Sequence, residues 1–264
     1  MTLIAAWITD DFRIVASDSK SQIKRIDDNF DCQKIYNSNE LAIGIYGNLS
    51  EGDRNLLKEY LQINLNYDKE KLISDLSLIL PARTKGIKEI DFKKNGITHL
   101  LIVPKTEEPE ILCIKKGYKP LRKTLKDYKD INQKGLPKAL FFSEQRIEAG
   151  NIDFMHQKNL VSLLVKLEKK KLEGIKLGWA INENSVIDSK LELLIKLFQI
   201  VRKDKKLNCN GTIGGVKVYF AYSVNGIDWE KGNYAFERNG KDPDVLFQEG
   251  MNILNELLDK TDNE

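Results

Sequence analysis

The stretch T-L-I-A-A-W-I (2–8), T-D-D (9–11) and F-R-I-V-A-S-D (12–18), resumed by C-Q-K-I-Y-N (32–37) and L-A-I-G-I-Y-G-N (41–48), decides how this chain is read. Residues 3–8 and 12–17 are rich in Ile, Val, Ala, Phe and Trp, and the acidic turn between them predicts a hairpin. Segments 32–37 and 41–46, separated by a turn at Asn37-Ser38-Asn39, predict a second hairpin. Near-continuous apolar runs such as L-A-I-G-I-Y predict strands covered on both faces. Three polar residues mark this region: Thr2 behind the initiator Met, Asp18 ending the second strand, and Lys34 in the third.

Outward from there, the strand signal gives way to helical spacing. Ser50-Glu51-Gly52-Asp53 resembles a capping box, and Leu56, Leu57, Tyr60 and Leu61 recur on one helical face. A second helix is predicted over 69–80, ended by Pro81. Strands return at 97–103 and 110–114, and again at 138–143 after a lysine-rich polar segment. Leu160, Leu163, Leu164 and Leu167 predict an amphipathic helix over 160–172, with Gly174 as its C-cap. Another helix is predicted over 188–203 and a strand over 216–224. Asn225-Gly226 is a hairpin turn signal, and Asp242-Pro243 opens a closing helix that runs to about Leu258. Strand blocks alternating with helix pairs predict two antiparallel sheets stacked between helical layers, an α+β sandwich of αββα type.

Composition excludes several function classes. A formal net charge of +3 on 264 residues gives no electrostatic case for nucleic acid. No apolar run approaches a membrane span, the N-terminus lacks the pattern of a secretion signal, and a cytoplasmic location is expected. Cys32, Cys113 and Cys209 are widely spaced, which speaks against a disulfide framework and for buried small hydrophobes. With only His99 and His156 and no clustered cysteines, neither a metal site nor a cofactor is expected.

The three marked residues can do specific chemistry. A threonine hydroxyl is a poor nucleophile at neutral pH and needs a base. Removal of Met1 would give Thr2 a free α-amine, whose pKa of about 8 suits that role. A lysine held charged by a carboxylate would lower the amine pKa and stabilise the alkoxide. Backbone N–H groups at a strand-to-helix turn would hold an oxyanion, and the chain offers such a turn at Gly47-Asn48.

On these residues the segment resembles the N-terminus of proteasome β subunits and of the peptidase subunit of the bacterial two-component ATP-dependent protease, both N-terminal-nucleophile (Ntn) hydrolases. The matching residues are Thr2, Asp18 within A-S-D-S, Lys34 within K-I-Y, and Gly47 within G-I-Y-G-N, with 16 residues from Thr2 to Asp18 and from Asp18 to Lys34. I-G-G-V-K-V-Y (213–219) resembles the family's glycine pair leading into its next-to-last strand. The match is good over roughly the first 80 residues and loose over about 188–236. One domain is expected over 1–264, with an insertion within 115–187.

The resemblance implies a threonine-type hydrolase cleaving peptide or other amide bonds. Thr2 would be nucleophile and, through its amine, general base. Lys34 would tune its pKa, Asp18 would orient Lys34, and Gly47 would contribute an N–H to the oxyanion hole. Ser21 and Gln22 would pair with an extended substrate backbone. Ser143 and Asn210 stand where a supporting shell belongs, and Asn210 supplies no charge where the family has an aspartate. Rings or stacked homo-oligomers are implied, with room for an ATPase partner. Two alternatives share the scaffold: a non-proteolytic Ntn amidase and a catalytically silent assembly subunit. A binding module of unrelated fold is a third.

Overall fold

The computed structural model describes residues 3–20, 32–47, 51–66, 68–83, 97–115, 121–124, 138–143, 157–176, 186–208, 213–235 and 245–261. Ten strands and five helices lie in these ranges. In chain order they are β1 (Leu3–Ile8), β2 (Phe12–Asp18), β3 (Ile35–Asn37), β4 (Leu41–Gly47), α1 (Glu51–Ile63), α2 (Lys69–Arg83), β5 (Ile97–Pro104), β6 (Glu110–Lys115), β7 (Leu121–Thr124), β8 (Lys138–Ser143), α3 (Gln157–Lys176), α4 (Val186–Lys203), β9 (Lys217–Val224), β10 (Glu230–Ala235) and α5 (Val245–Thr261).

The strands form two five-stranded sheets, ordered β10-β9-β2-β1-β8 and β3-β4-β5-β6-β7, and every pairing is antiparallel. Alternation along the strands sorts the side chains into three layers. On β1, Leu3, Ala5 and Trp7 face one way and join α3, α4 and α5, while Ile4, Ala6 and Ile8 face the second sheet. On β4, Leu41, Ile43 and Ile45 meet Leu57 and Leu61 of α1 and Leu72 and Leu76 of α2, while Ala42 turns inward. The result is a four-layer αββα sandwich of two antiparallel sheets, the layering that the alternation of strand blocks and helix pairs predicts.

The layer between the sheets is built from small and β-branched residues, and Gly44 shows how close they come. A Cβ on Gly44 would stand 3.0 Å from Ile4 Cγ2 of the facing sheet. Arg13 of β2 also ties the two sheets. Its guanidinium donates to the carbonyls of Pro104 and Thr106, both at 2.7 Å, and to that of Glu107.

Some elements depart from the sequence expectations. The third strand is shorter than 32–37, although the Ile45 N–H still donates to the Lys34 carbonyl at 2.8 Å. Helix α2 continues past Pro81 to Arg83, because a proline in the last turn removes only one ladder N–H. Helix α3 continues through Gly174 to Lys176. An interior glycine costs about 1 kcal/mol, which the buried row Leu160, Leu163, Leu164 and Leu167 outweighs. Strand β7 (L-R-K-T) lies within the segment read as polar connection. It is a charged sheet edge without alternation. Arg122 anchors it, donating to Glu110 Oε1 of β6 at 2.8 Å and to Glu70 Oε2 of α2 at 2.6 Å. The Asn225-Gly226 turn has φ of +52° and +70°, and the Ile227 N–H closes it on the Val224 carbonyl at 3.0 Å.

Candidate active site

Asp18 ends β2 of the first sheet, and Lys34 immediately precedes β3 of the second. Lys34 Nζ lies 3.1 Å from Asp18 Oδ1, and their side chains are 7% and 0% exposed. The Leu3 N–H donates to the same oxygen at 2.9 Å. The other oxygen, Oδ2, accepts the Gly214 N–H at 3.1 Å. One carboxylate at a strand end thus takes donors from three places in the chain, residues 3, 34 and 214. Three donors offset the desolvation of the charge. Asp18 is the one hydrogen-bond partner of the Lys34 ammonium among the described residues, so a buried cation retains donors that Asp18 does not fill.

The turn after β2 is stitched to the glycine pair. The N–H groups of Ser19 and Lys20 both donate to the Gly214 carbonyl at 3.1 Å, and the Cys32 N–H donates to the Ser19 carbonyl at 2.9 Å. Ser19 Oγ accepts the N–H groups of Val216 and Lys217 at 3.1 and 3.0 Å. Gly215 sits at φ +85°, and a Cβ there would fall 2.5 Å from Ser19 Oγ and 2.6 Å from the Lys20 nitrogen. Glycine is therefore required by conformation and by space at once.

The structure brings Asp18 and Lys34 together. Gly47 closes β4, paired with Thr98, four residues before α1 begins. Ser143 closes β8 directly opposite Leu3 in the β1–β8 register, at the same strand end as the Leu3–Asp18 bond. Thr2, Ser21, Gln22 and Asn210 lie outside the described residues.

Two contributors were not singled out in the sequence. Ser19 was quoted within A-S-D-S without a role; the signal was a hydroxyl at the first position past a strand-ending Asp, where a side chain can bond nearby backbone. Asn208 is the other. Its Nδ2 donates to the carbonyls of Arg202 and Ile213, and its Oδ1 accepts the Ile213 N–H, all at 2.9 Å. The signal was an Asn between a helix end and a glycine pair.

Two titrating groups on the second sheet are held neutral. Burial pushes the Tyr36 hydroxyl up to about 12, with Arg54 pulling the other way. Burial, helped by Lys123, brings His99 down to about 4. Among the described residues no group of three or more His, Cys, Asp or Glu could hold a metal ion, and no helix is long and apolar enough to cross a membrane.

No family model matches the sequence, and no curated protein matches it. Among solved structures, the fold is similar to the Anbu (Gly-1) mutant from Hyphomicrobium sp. strain MC1. The TM-score is 0.52 at 13% identity, covering 100% of this chain and 98% of that one. At that identity the likeness concerns the fold.

Proposed function

We propose that this protein is a threonine-type Ntn hydrolase that cleaves peptide or other amide bonds once Met1 has been removed. The observation that carries this reading is the Lys34–Asp18 pair bonded to the Leu3 N–H, the amide that joins Leu3 to residue 2. A buried ion pair is weak evidence for stability, since desolvation offsets much of its Coulomb gain. Beside an N-terminal nucleophile, the same pair has a chemical use.

In this reading the Thr2 hydroxyl attacks the substrate carbonyl and its own α-amine takes the proton. The Lys34 ammonium, oriented by Asp18, keeps that amine basic in the neutral form and stabilises the developing alkoxide. The Gly47 N–H holds the oxyanion. The protonated amine then gives its proton to the leaving nitrogen, the C–N bond breaks, and water hydrolyses the acyl-threonine ester. Ser21 and Gln22 pair with an extended substrate, and Ser143 and Asn210 stand in the supporting positions.

Self-association is part of the same proposal. Ile63 on α1 and Leu78 on α2, both on the outer helical layer, are 80% and 71% exposed. A ring or stacked assembly would cover them and leave room for an ATPase partner.

The test is intact mass of protein made without an N-terminal tag, followed by labelling with a threonine-directed electrophile. Loss of Met1 and one probe per chain, abolished in Thr2→Ala, are the expected results. Met1 retained on every molecule sinks the threonine nucleophile, and labelling that persists in Thr2→Ala assigns the chemistry to another residue.

A further inference from the structure

Asn208 lies five residues past the end of α4 and ahead of the glycine pair. Its side-chain amide pairs with Ile213 in both directions, Nδ2 to the carbonyl and Oδ1 from the N–H, each at 2.9 Å. The second proton on Nδ2 goes to the Arg202 carbonyl, also at 2.9 Å. This copies a β-bridge with one side chain and anchors it to the last turn of a helix. Both neighbours of Nδ2 are carbonyls, which only accept, so the amide has one workable orientation.

The next residue after Ile213 is Gly214, whose N–H occupies Asp18 Oδ2 at 3.1 Å. With Oδ2 fixed, Oδ1 faces the Lys34 ammonium and the Leu3 N–H. The chain of contacts therefore runs from the end of α4 through Asn208 to Ile213, Gly214, Asp18 and Lys34.

We propose that Asn208 is a positioning residue of the candidate active site, setting the Asp18 carboxylate and through it Lys34 by clamping the backbone at Ile213. It touches neither substrate nor reacting atoms. The role requires an amide. A carboxylate at the same position has no donor and would set charge against two carbonyl oxygens. The effect on chemistry rests on the threonine-hydrolase reading; the effect on geometry does not.

Asn208→Ala and the isosteric Asn208→Asp test it, with Thr9→Ala as a control. Thr9 Oγ1 accepts the Phe12 N–H at 3.0 Å, at the far end of the β1–β2 pair, so its loss costs stability without reaching Asp18. Amide hydrogen exchange of Gly214 and Leu3 is read by NMR and corrected for any change in global stability. Both amides are expected to exchange at least about 10-fold faster in the two Asn208 variants, and at the parent rate in Thr9→Ala. Parent-like exchange in Asn208→Asp overturns the clamp, and that variant keeps the shape should Asn208→Ala fold poorly.

Electrophile labelling then separates positioning from mere stability. The maximal labelling rate is expected to fall about 10- to 100-fold in the Asn208 variants, at a half-saturating probe concentration within about twofold of the parent. An equal fall in Thr9→Ala, or a change in the half-saturating concentration alone, overturns the positioning role. If the unsubstituted protein is not labelled at all, the threonine reading fails, and the exchange rates still decide Asn208.

Discussion

The Lys34 ammonium, just before β3 of the second sheet, meets the Asp18 carboxylate, at the end of the central strand β2 of the first, at 3.1 Å. The ion pair thereby fixes how the two halves of the sandwich stand at the N-terminal end of β1. Removing either partner has a structural cost as well as a chemical one.

Lys34→Met keeps the apolar stem and removes the charge. It is expected to fold, to lose up to about 3 kcal/mol in urea denaturation, and to lose labelling by about 10²-fold or more. Asp18→Asn is expected to be the more destabilising change, because its NH2 must face either the Leu3 or the Gly214 N–H, donor against donor, and the charge opposite Lys34 is lost. Labelling of Lys34→Met at the parent rate would remove Lys34 from the mechanism.

Gly215→Ala places a methyl group 2.5 Å from Ser19 Oγ at φ +85°. Backbone, rather than a flexible side-chain end, supplies the next contacts, so the turn after β2 must shift. A loss of about 2–3 kcal/mol is expected, measured by chemical denaturation. A cost below about 0.5 kcal/mol would mean that the two turns are not held together as described.

His99 sets a pH dependence whose sign is fixed by burial. Its folded pKa of about 4 lies below the ordinary value of 6.5. Between those values the unfolded chain binds the proton and the folded chain does not, so stability falls as pH drops from about 6.5 to 4. The full contribution is up to about 3 kcal/mol. In His99→Gln this part of the slope is expected to vanish from denaturation midpoints measured across that range. An unchanged slope would assign the acid sensitivity to other groups.

Gly44→Val introduces branched bulk where a single Cβ already stands 3.0 Å from Ile4 Cγ2. Overpacking between the sheets is expected to cost at least about 2–3 kcal/mol, read as a lower thermal midpoint. Ala42→Gly, two positions earlier on the same inward face of β4, removes volume instead of adding it, so the two variants together separate crowding from loss of packing.

Much of this architecture was legible because the local signals agree with one another. The apolar runs of β1 and β2 around an acidic turn, helical spacing on α4, and the Asn225-Gly226 turn each follow from short-range rules, and the sheets followed from the order of strand blocks and helix pairs. The Asp18–Lys34 meeting was readable only through the joint spacing of a resembled motif, since neither residue alone differs from an ordinary strand-end acid or strand lysine. Strand β7 was invisible because Arg122 and Lys123 carry no apolar period, and of its ion-pair partners Glu70 lies 52 residues away on α2. Asn208 escaped for the same reason in reverse. Its three bonds are local, but their purpose depends on Asp18, which lies far away in the chain.

The Gly214–Asp18 hydrogen bond joins residues 196 apart in the chain. During synthesis, β1 and β2 emerge first and can pair early, yet Asp18 lacks its third donor until the stretch after α4 has been made and folded. A shortened or stalled chain would therefore carry the first hairpin without a finished carboxylate cradle. Completion of the Asp18 cradle is thereby tied to synthesis of the chain as far as the glycine pair, about four fifths of the way along it.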